Sequence, residues 1–353
     1  MNIHGGDIYG GDIYDGDKVK ERAVLDLSAS ISPLGIPEGV VSAMMEALGS
    51  SHRYPDIYCR KLRQALSVYE GRPAENIVCG NGATELIYNI VRALQPKRAL
   101  LFAPTFSEYE RALSRAECHI TVYTSASLRL DRGFIDFIDR GTDMVFLCNP
   151  NNPTGYLTDR SLMCEIVKKC EECDTYLCVD ECFLDFVEEG EKYSVKNLPG
   201  DHIICLKAFT KIFALAGVRL GYALTGSKET AERIFDAGYP WSVSNIAQTA
   251  GIACTYERDH ILRVRQLVKT EREYLTKQLR SVGFQVFEGS AGYLLFRAGR
   301  GLGDALKEKG ILIRNCSDFR GLGDTFYRTG VRCHEDNERF VEALFEVIPE
   351  FEQ

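Results

Sequence analysis

The middle of the chain alternates short apolar segments with amphipathic ones, and this alternation constrains the fold more than any other feature. Segments such as NIVCG, RALLFAP and MVFLCNP have the length and apolar content of buried strands. ATELIYNIVRAL and SEYERALSRA, which lie between them, have helical periodicity. This order predicts an α/β fold in which a mostly parallel sheet is covered by helices on both faces, an α/β/α sandwich.

The pattern changes after about residue 240. One long amphipathic helix is predicted from AQTAG to RSVG, and the short strands FQVFEG and GYLLFRAG follow it. We predict a large domain over 45–240 and a smaller α+β domain over 241–353 that includes the interdomain helix. The segment 1–44 is predicted to pack with the small domain.

The charge balance argues against several classes of partner. The chain has 42 Lys and Arg residues against 50 Asp and Glu residues, a formal net charge of −8, so we expect no nucleic-acid partner. No segment reaches about 18 uninterrupted apolar residues, and the N-terminus lacks the basic and apolar regions of a secretory signal. We therefore expect a cytoplasmic protein without a membrane segment.

Thirteen cysteines, an odd number, are scattered through apolar segments. This usage is typical of buried thiols in a reducing compartment. Five of them lie close together and include one C-x-x-C pair; they are Cys164, Cys170, Cys173, Cys178 and Cys182. A metal site is one interpretation, and ordinary core or solvated thiols are the other. We expect no metal.

The loop after NIVCG has the composition of an anion site. GNGATE, from Gly80 to Glu85, opens a predicted helix, so free backbone N–H groups would face an incoming phosphate. The motif is close to a dinucleotide fingerprint, but Glu85 stands where the third glycine is required. A glycine turn that only leads into a helix is the alternative.

The loops after the next strands carry an aromatic ring, amides, an acid and an amine. Phe106 follows LLFAP, NPNNPTG follows VFLC, Asp180 ends YLCVD, and Lys211 and Arg219 follow HIICLKAF. Ligands of an open α/β sheet bind beyond the carboxyl ends of its strands. Together these loops predict an aromatic phosphate with a cationic ring nitrogen and a group that reacts with an amine, which describes pyridoxal 5′-phosphate (PLP).

NPNNPTG, VDE and TKIFALAGVRLGY, in this order, resemble the class I/II aminotransferase superfamily, the fold-type I PLP enzymes. The resemblance covers essentially the whole chain. It implies that Lys211 is the Schiff-base lysine, and that Tyr54 reaches the cofactor phosphate of the neighbouring subunit in a homodimer. The other cofactor-binding residues that it implies are Gly82, Ala83, Thr84 and Arg219 for the phosphate, Phe106 for ring stacking, Asp180 for the ring nitrogen, Asn152 for the ring 3-oxygen, and Phe183 where most aminotransferases have a tyrosine.

Further stretches resemble the threonine-phosphate decarboxylase family of cobalamin biosynthesis more than the histidinol-phosphate aminotransferases. They include IHGGDIY, DLSASISPLGIP and ILIRNCSDFRGLGDTFYRTGVR. The resemblance implies that His4 and Arg314 bind a substrate phosphate and that Arg328 binds a carboxylate. It also implies that Ser30 and Ser32 lie near the substrate, with Ser32 as a substrate-binding residue. Four positions depart from the usual pattern, namely Asp7, Ser30, Ser32 and Ala208.

The reaction implied by this resemblance is decarboxylation of L-threonine O-3-phosphate to (R)-1-amino-2-propanol O-2-phosphate. Transamination of histidinol phosphate or another amino acid is the alternative. PLP chemistry cleaves whichever Cα bond is held perpendicular to the ring, and a sequence does not fix that angle. The choice between the two reactions stays open at this point.

Overall fold

The computed structural model describes residues 24–348 and the backbone of two short strands before them, at 14–15 and 18–19. The helices of this part of the chain are α1 (Glu38–Leu48), α2 (Arg60–Glu70), α3 (Gly82–Leu94), α4 (Ser107–Arg115), α5 (Arg160–Cys173), α6 (Phe209–Ile212), α7 (Lys228–Asp236), α8 (Asn245–Cys254), α9 (Arg258–Ser281), α10 (Leu302–Glu308) and α11 (His334–Val347). The strands are β1 (Tyr14–Asp15), β2 (Lys18–Val19), β3 (Leu25–Asp26), β4 (Ile77–Gly80), β5 (Arg98–Ala103), β6 (His119–Thr124), β7 (Met144–Cys148), β8 (Tyr176–Asp180), β9 (Ile203–Ala208), β10 (Gly221–Thr225), β11 (Gln285–Phe287), β12 (Tyr293–Arg297), β13 (Ile311–Leu312), β14 (Arg314–Asn315) and β15 (Phe326–Gly330).

The central sheet has, among the described residues, seven strands in the order β4-β10-β9-β8-β7-β5-β6. β10 runs antiparallel to its neighbours β4 and β9. The remaining neighbours pair in parallel. The prediction of a mostly parallel sheet is therefore confirmed, with β10 as the exception.

Both faces of the sheet are buried, as the apolar character of its strands requires. Successive residues of β7 alternate between the faces: Val145 belongs to one apolar core and Phe146 to the other. Helices α3, α4 and α7 supply apolar side chains to the core that contains Phe146. Helices α5 and α9 cover the opposite face. The helices thus form the two outer layers of an α/β/α sandwich.

The C-terminal part of the chain forms a second sheet in the order β11-β12-β15-β14, in which the strands are antiparallel. β3, near the start of the described chain, pairs in parallel with β13. This pairing joins the N-terminal segment to the C-terminal part of the chain. The domain boundaries themselves stay a prediction.

The prediction of one long helix after residue 240 is wrong, because the segment folds as α8 and α9 with a break between them. The Thr255 hydroxyl donates to the Ile252 carbonyl at 2.7 Å, which competes with continuation of the helical ladder. Glu257, just before α9, has non-helical backbone angles.

A cluster of buried charges surrounds Lys207, the penultimate residue of β9. The carboxylate of Glu70 accepts from Lys196 Nζ at 2.5 Å and from the Tyr222 hydroxyl at 2.5 Å, and Lys207 Nζ lies 3.4 Å from it. Burial opposes ionisation of Glu70, but the ammonium groups of Lys207 and Lys196 hold its pKa below the ordinary range. This cluster ties α2 to β9 and β10.

All thirteen cysteines are free thiols in the structure. Cys170, Cys173, Cys178 and Cys182 are buried, while Cys164 is half-buried. Within residues 24–348, no group of three or more His, Cys, Asp or Glu side chains has the arrangement of a metal site. None of the helices in that range has the length and apolar content to span a bilayer.

We predict that Glu70→Ala destabilises the fold by about 3–5 kcal/mol, because it leaves two buried ammonium groups close together without their shared carboxylate. The free energy of unfolding in urea measures this. Glu189→Ala is the matched control, since Glu189 pairs with Lys192 at the surface and such pairs contribute about 0–1 kcal/mol. Equal stability of the two variants would contradict a structural role for the cluster.

Candidate active site

A cavity of about 480 Å³ lies beyond the carboxyl ends of β7, β8 and β9. Most of the residues that the sequence predicted for the site line it. These are Ala83, Thr84, Phe106, Asn152, Asp180, Phe183, Lys211, Arg219, Arg314 and Arg328. Ser30 and Ala208, two of the positions that depart from the usual family pattern, line the cavity as well. Residues distant in sequence thus meet at one edge of the sheet.

Lys211 lies in α6, the short helix that follows β9. Its side chain is half-buried, and its ammonium nitrogen is 5.8 Å from the centre of the Phe183 ring. Burial lowers the pKa of Lys211 to about 8, and the guanidinium groups of Arg328 and Arg219 act in the same direction. An appreciable fraction of this amine is therefore neutral, and nucleophilic, near physiological pH.

Asp180, at the end of β8, is held by two donors. The Tyr109 hydroxyl donates to Oδ2 at 2.7 Å, and the Cys182 amide donates to Oδ1 at 3.0 Å. Tyr109 is fully buried and stacks on Phe146, with ring centres 5.2 Å apart. Burial and the neighbouring Asp180 raise the pKa of Tyr109 well above its usual value, so the phenol stays a donor. Both contacts orient a carboxylate in the cavity wall.

Sequence reasoning missed Tyr109. It lies three residues after Phe106, on the buried face of α4 with Ala112 and Leu113. That periodicity predicts that Tyr109 is a core aromatic residue. The only sequence signal for a polar partner is the hydroxyl group of the tyrosine. The partner itself, 71 positions along the chain, is not visible in the sequence.

The N-terminus of α3 forms an anion cradle. Gly82 has φ +79°, and a Cβ atom there would lie 2.5 Å from Arg219 Nη2, so the missing side chain makes room for the guanidinium. Arg219 also donates from Nη1 to the Ala216 carbonyl at 3.1 Å. A helix N-terminus beside a guanidinium group favours a phosphate.

Arg328 on β15 is buried across the cavity. It donates from Nη1 to Asn152 Oδ1 at 2.5 Å and from Nη2 to the Ser28 carbonyl at 2.9 Å. Its Nε is buried and has no partner within the described part of the chain. Burial lowers the pKa of Arg328, because a buried guanidinium group without a bound anion is less stable in its charged form.

Arg314 belongs to β14 and is held by the loop after it. Its Nη2 donates to Asp318 Oδ2 at 2.6 Å, and its Nη1 donates to the Asn315 carbonyl at 3.0 Å. The guanidinium lies 5.6 Å from the centre of the Phe319 ring. The loop therefore fixes Arg314 where it lines the cavity.

The two serines of the SASIS segment separate in the structure. Ser30 lines the cavity with a buried hydroxyl that has no partner among the described residues. Ser32 does not line it; its amide donates to the Lys211 carbonyl at 2.9 Å. A buried unpartnered hydroxyl normally meets a ligand or water. Ser30, rather than Ser32, is thus the serine that faces the site.

One further predicted residue, Tyr54, does not line the cavity. Tyr54 is 82 % exposed, and its ring centre lies 5.0 Å from that of Trp241 at the surface. His4 lies outside the described residues, as does Asp7. Their predicted roles stay predictions.

The residues present fit PLP. The cavity has an anion cradle at the start of α3, a buried carboxylate at Asp180 and an amine of lowered pKa at Lys211. Phe106 adds an aromatic side chain to its wall, and Ser30 adds an unpartnered hydroxyl. A phosphate, a ring nitrogen and an aldehyde need those groups.

We predict that Lys211 of the cofactor-free protein titrates near pH 8, because burial disfavours its charged form. Competitive trace labelling of amines with acetic anhydride, followed by mass spectrometry of the peptide that contains Lys211, measures the midpoint. The Lys211→Ala variant controls for the identity of the signal. A midpoint near 10.4, the ordinary value for lysine, would contradict the desolvated position of this amine.

Comparison with known proteins gives a consistent assignment. The model of the family described as aminotransferase class I and II matches residues 22–344. A threonine-phosphate decarboxylase of Salmonella typhimurium is 34 % identical over 98 % of this chain and 96 % of its own length. Histidinol-phosphate aminotransferase 2 of Archaeoglobus fulgidus is 33 % identical over 93 % of this chain and 94 % of its own.

Solved structures agree with the sequence relatives. The histidinol-phosphate aminotransferase from Clostridium acetobutylicum is 30 % identical and superposes with a TM-score of 0.85, covering 93 % of this chain and all of that one. The predicted resemblance and fold type are thereby confirmed. The chain belongs to the aminotransferase class I and II family, and its cofactor is pyridoxal 5′-phosphate.

Proposed function

We propose that this protein decarboxylates L-threonine O-3-phosphate, or a related phosphorylated amino acid, to (R)-1-amino-2-propanol O-2-phosphate and carbon dioxide, a step of cobalamin biosynthesis. The observation that carries the proposal is the pair of arginines, Arg328 and Arg314, that line the cavity in addition to Arg219 at the α3 cradle. A substrate with both a carboxylate and a phosphate requires two such cations. The decarboxylase from Salmonella typhimurium, similar over nearly the whole chain, supports the same substrate.

The cofactor would be held by residues that face the cavity. Lys211 would bind it covalently, Asp180 would pair with the ring nitrogen, and Gly82, Ala83, Thr84 and Arg219 would hold its phosphate. Phe106, Asn152 and Phe183 are proposed to surround the ring. When bound, PLP supplies an electron sink for the bond that breaks at Cα. Lys211, whose pKa burial lowers to about 8 in the cofactor-free protein, would be the residue that returns a proton to Cα.

The substrate would be held by the arginines. Arg328 is anchored by Asn152 and by the Ser28 carbonyl, so it presents its charge in one orientation to a carboxylate. Arg314 is anchored by Asp318 and would bind the phosphate. His4 and Ser32 stay predicted substrate-binding residues, and Ser30 is added to them because its hydroxyl lines the cavity without a partner.

Transamination of the histidinol-phosphate aminotransferase type is the second candidate. The relative from Archaeoglobus fulgidus and the structure from Clostridium acetobutylicum favour it. Histidinol phosphate has no carboxylate, so in that reaction Arg328 would serve the carboxylate of the amino-group acceptor instead. The two functions therefore differ in which substrate carries the carboxylate.

We also propose a homodimer in which Tyr54 reaches the site of the second copy. Tyr54 and Trp241 are exposed and adjacent, and Met45, Leu48 and Tyr239 are exposed apolar residues as well. A monomer would gain nothing from these exposed rings, whereas a second copy would bury them. A cytoplasmic location is proposed from the thirteen free thiols.

Our prediction for the reaction is that the holoenzyme releases carbon dioxide from O-phosphothreonine without 2-oxoglutarate. Arg314→Ala should lower kcat/KM for this substrate about 10²-fold or more, as a lost charged contact implies, and should affect unphosphorylated threonine far less. Arg320→Ala is the control, because Arg320 is exposed and pairs with Glu110. Equal losses on both substrates would remove the phosphate role from Arg314. Formation of a keto acid that depends on 2-oxoglutarate, without carbon dioxide, would favour the aminotransferase.

A separate prediction concerns Phe183, which lines the cavity and packs edge-on against Tyr293 with ring centres 4.9 Å apart. A tyrosine there would add a donor that stabilises the ionised 3-oxygen of the cofactor. Phe183→Tyr should therefore move the pH midpoint of the holoenzyme's visible absorption band downward. An unchanged or higher midpoint in a pH titration would mean that Phe183 does not adjoin that oxygen.

A further inference from the structure

Arg111 on α4 lies at the junction between the cavity and an outer groove. The groove has a volume of about 740 Å³ and shares Phe106, Arg111 and Phe319 with the cavity lining. The neighbouring Arg115, one turn further along α4, lines the groove but not the cavity. Arg111 therefore stands where a substrate group that extends away from Lys211 would emerge.

The guanidinium of Arg111 is anchored and still has donors to offer. Nη1 donates to Glu108 Oε1 at 2.6 Å. Glu108 is itself buried and also accepts from the Tyr88 hydroxyl at 2.7 Å, so the anchor is fixed. Within residues 24–348, Nε and Nη2 of Arg111 donate to no protein acceptor, and the side chain is 41 % exposed. A guanidinium has five N–H groups, so several remain for a ligand.

The described side chains that line the cavity carry an excess of positive charge, and this excess indicates a bound anion in addition to the cofactor phosphate and the substrate carboxylate. Among residues 24–348, five cationic side chains line the cavity, against the carboxylates of Asp180 and Glu108. Arg219 lies at the α3 cradle and Arg328 faces the proposed carboxylate, which leaves Arg314 and Arg111. Asp318 already neutralises part of the charge of Arg314, and Glu108 part of the charge of Arg111. A phosphate dianion beside that pair would accept hydrogen bonds from both guanidinium groups.

We propose that Arg111 is a specificity-determining residue that binds the substrate phosphate together with Arg314. This inference rests on the proposed function in one respect, that the substrate carries a phosphate. Arg111 discriminates the phosphorylated substrate from its unphosphorylated form, while Glu108 keeps the guanidinium at the mouth of the cavity.

The test measures binding to the holoenzyme rather than turnover. The probes are 3-hydroxybutyrate and its O-phosphate, which match threonine and O-phosphothreonine without the amine and therefore do not react. Calorimetry should give dissociation constants for the phosphate ester that are about 10- to 100-fold higher in Arg111→Ala, the range expected for a lost hydrogen bond to a charged group. Arg111→Lys should recover part of this loss. The constant for 3-hydroxybutyrate should change less than about twofold.

Arg115→Ala is the matched control, because it removes the same charge from the same helix and Arg115 lies over the Tyr88 ring at 5.2 Å, outside the cavity. An equal loss in Arg115→Ala, an equal loss for both probes, or no loss in Arg111→Ala would each overturn the proposal. The two proposals can also fail separately. If the ester binds more tightly than 3-hydroxybutyrate and this difference is lost in Arg111→Ala, but the enzyme releases no carbon dioxide from O-phosphothreonine, the phosphate-binding role of Arg111 is supported and the decarboxylase activity is refuted. A wild type that binds both probes equally would refute the phosphorylated substrate and with it the role of Arg111.

Discussion

The parallel register of β7, β8 and β9 is the constraint on which the rest of the site depends. Cys148 pairs with Asp180, and Asp180 with Leu206, so β7 and β8 end side by side and β9 continues past them to Ala208. The hydrogen bonds continue past the strand ends, since the Asn149 amide donates to the Asp180 carbonyl and the Glu181 amide to the Leu206 carbonyl, both at 2.8 Å. The amide loop, the acid and the lysine helix therefore leave the sheet at the same edge.

The single reversed strand of the central sheet is equally necessary. Because β10 runs antiparallel to β4 and β9, its first residue, Gly221, pairs with Gly80 on one side and Ala208 on the other. Arg219, two residues earlier, thus arrives beside the start of α3. A Cβ atom on Gly221 would lie 2.4 Å from the Ala83 nitrogen, so glycine is what allows this approach. A wholly parallel sheet would carry that guanidinium to the opposite edge.

The sequence was sufficient to predict the sandwich and the cofactor because both follow from local patterns and strand-end loops. It was insufficient wherever a contact joins distant segments. The bond from Tyr109 to Asp180 depends on how α4 packs across the sheet, and nothing in the pattern around Tyr109 distinguishes it from a core ring. Ser32 donates its amide to the carbonyl of Lys211, a distant partner that the sequence does not show, and Ser30 is the serine that lines the cavity.

Two lysines lie four residues apart in the sequence and have different roles, one in stability and one in reactivity. Lys207 on β9 meets Glu70 and Asp185, and although burial opposes it, these carboxylates raise its pKa well above the ordinary value. Burial lowers the pKa of Lys211 to about 8, and the guanidinium groups of Arg328 and Arg219 act in the same direction. A buried ammonium group with carboxylates beside it stays charged and unreactive, whereas desolvation without such partners drives an amine toward its neutral, nucleophilic form. The KAFTK segment therefore holds one lysine that stabilises the fold and one that is poised to react, and only the partners that surround each lysine in three dimensions distinguish them.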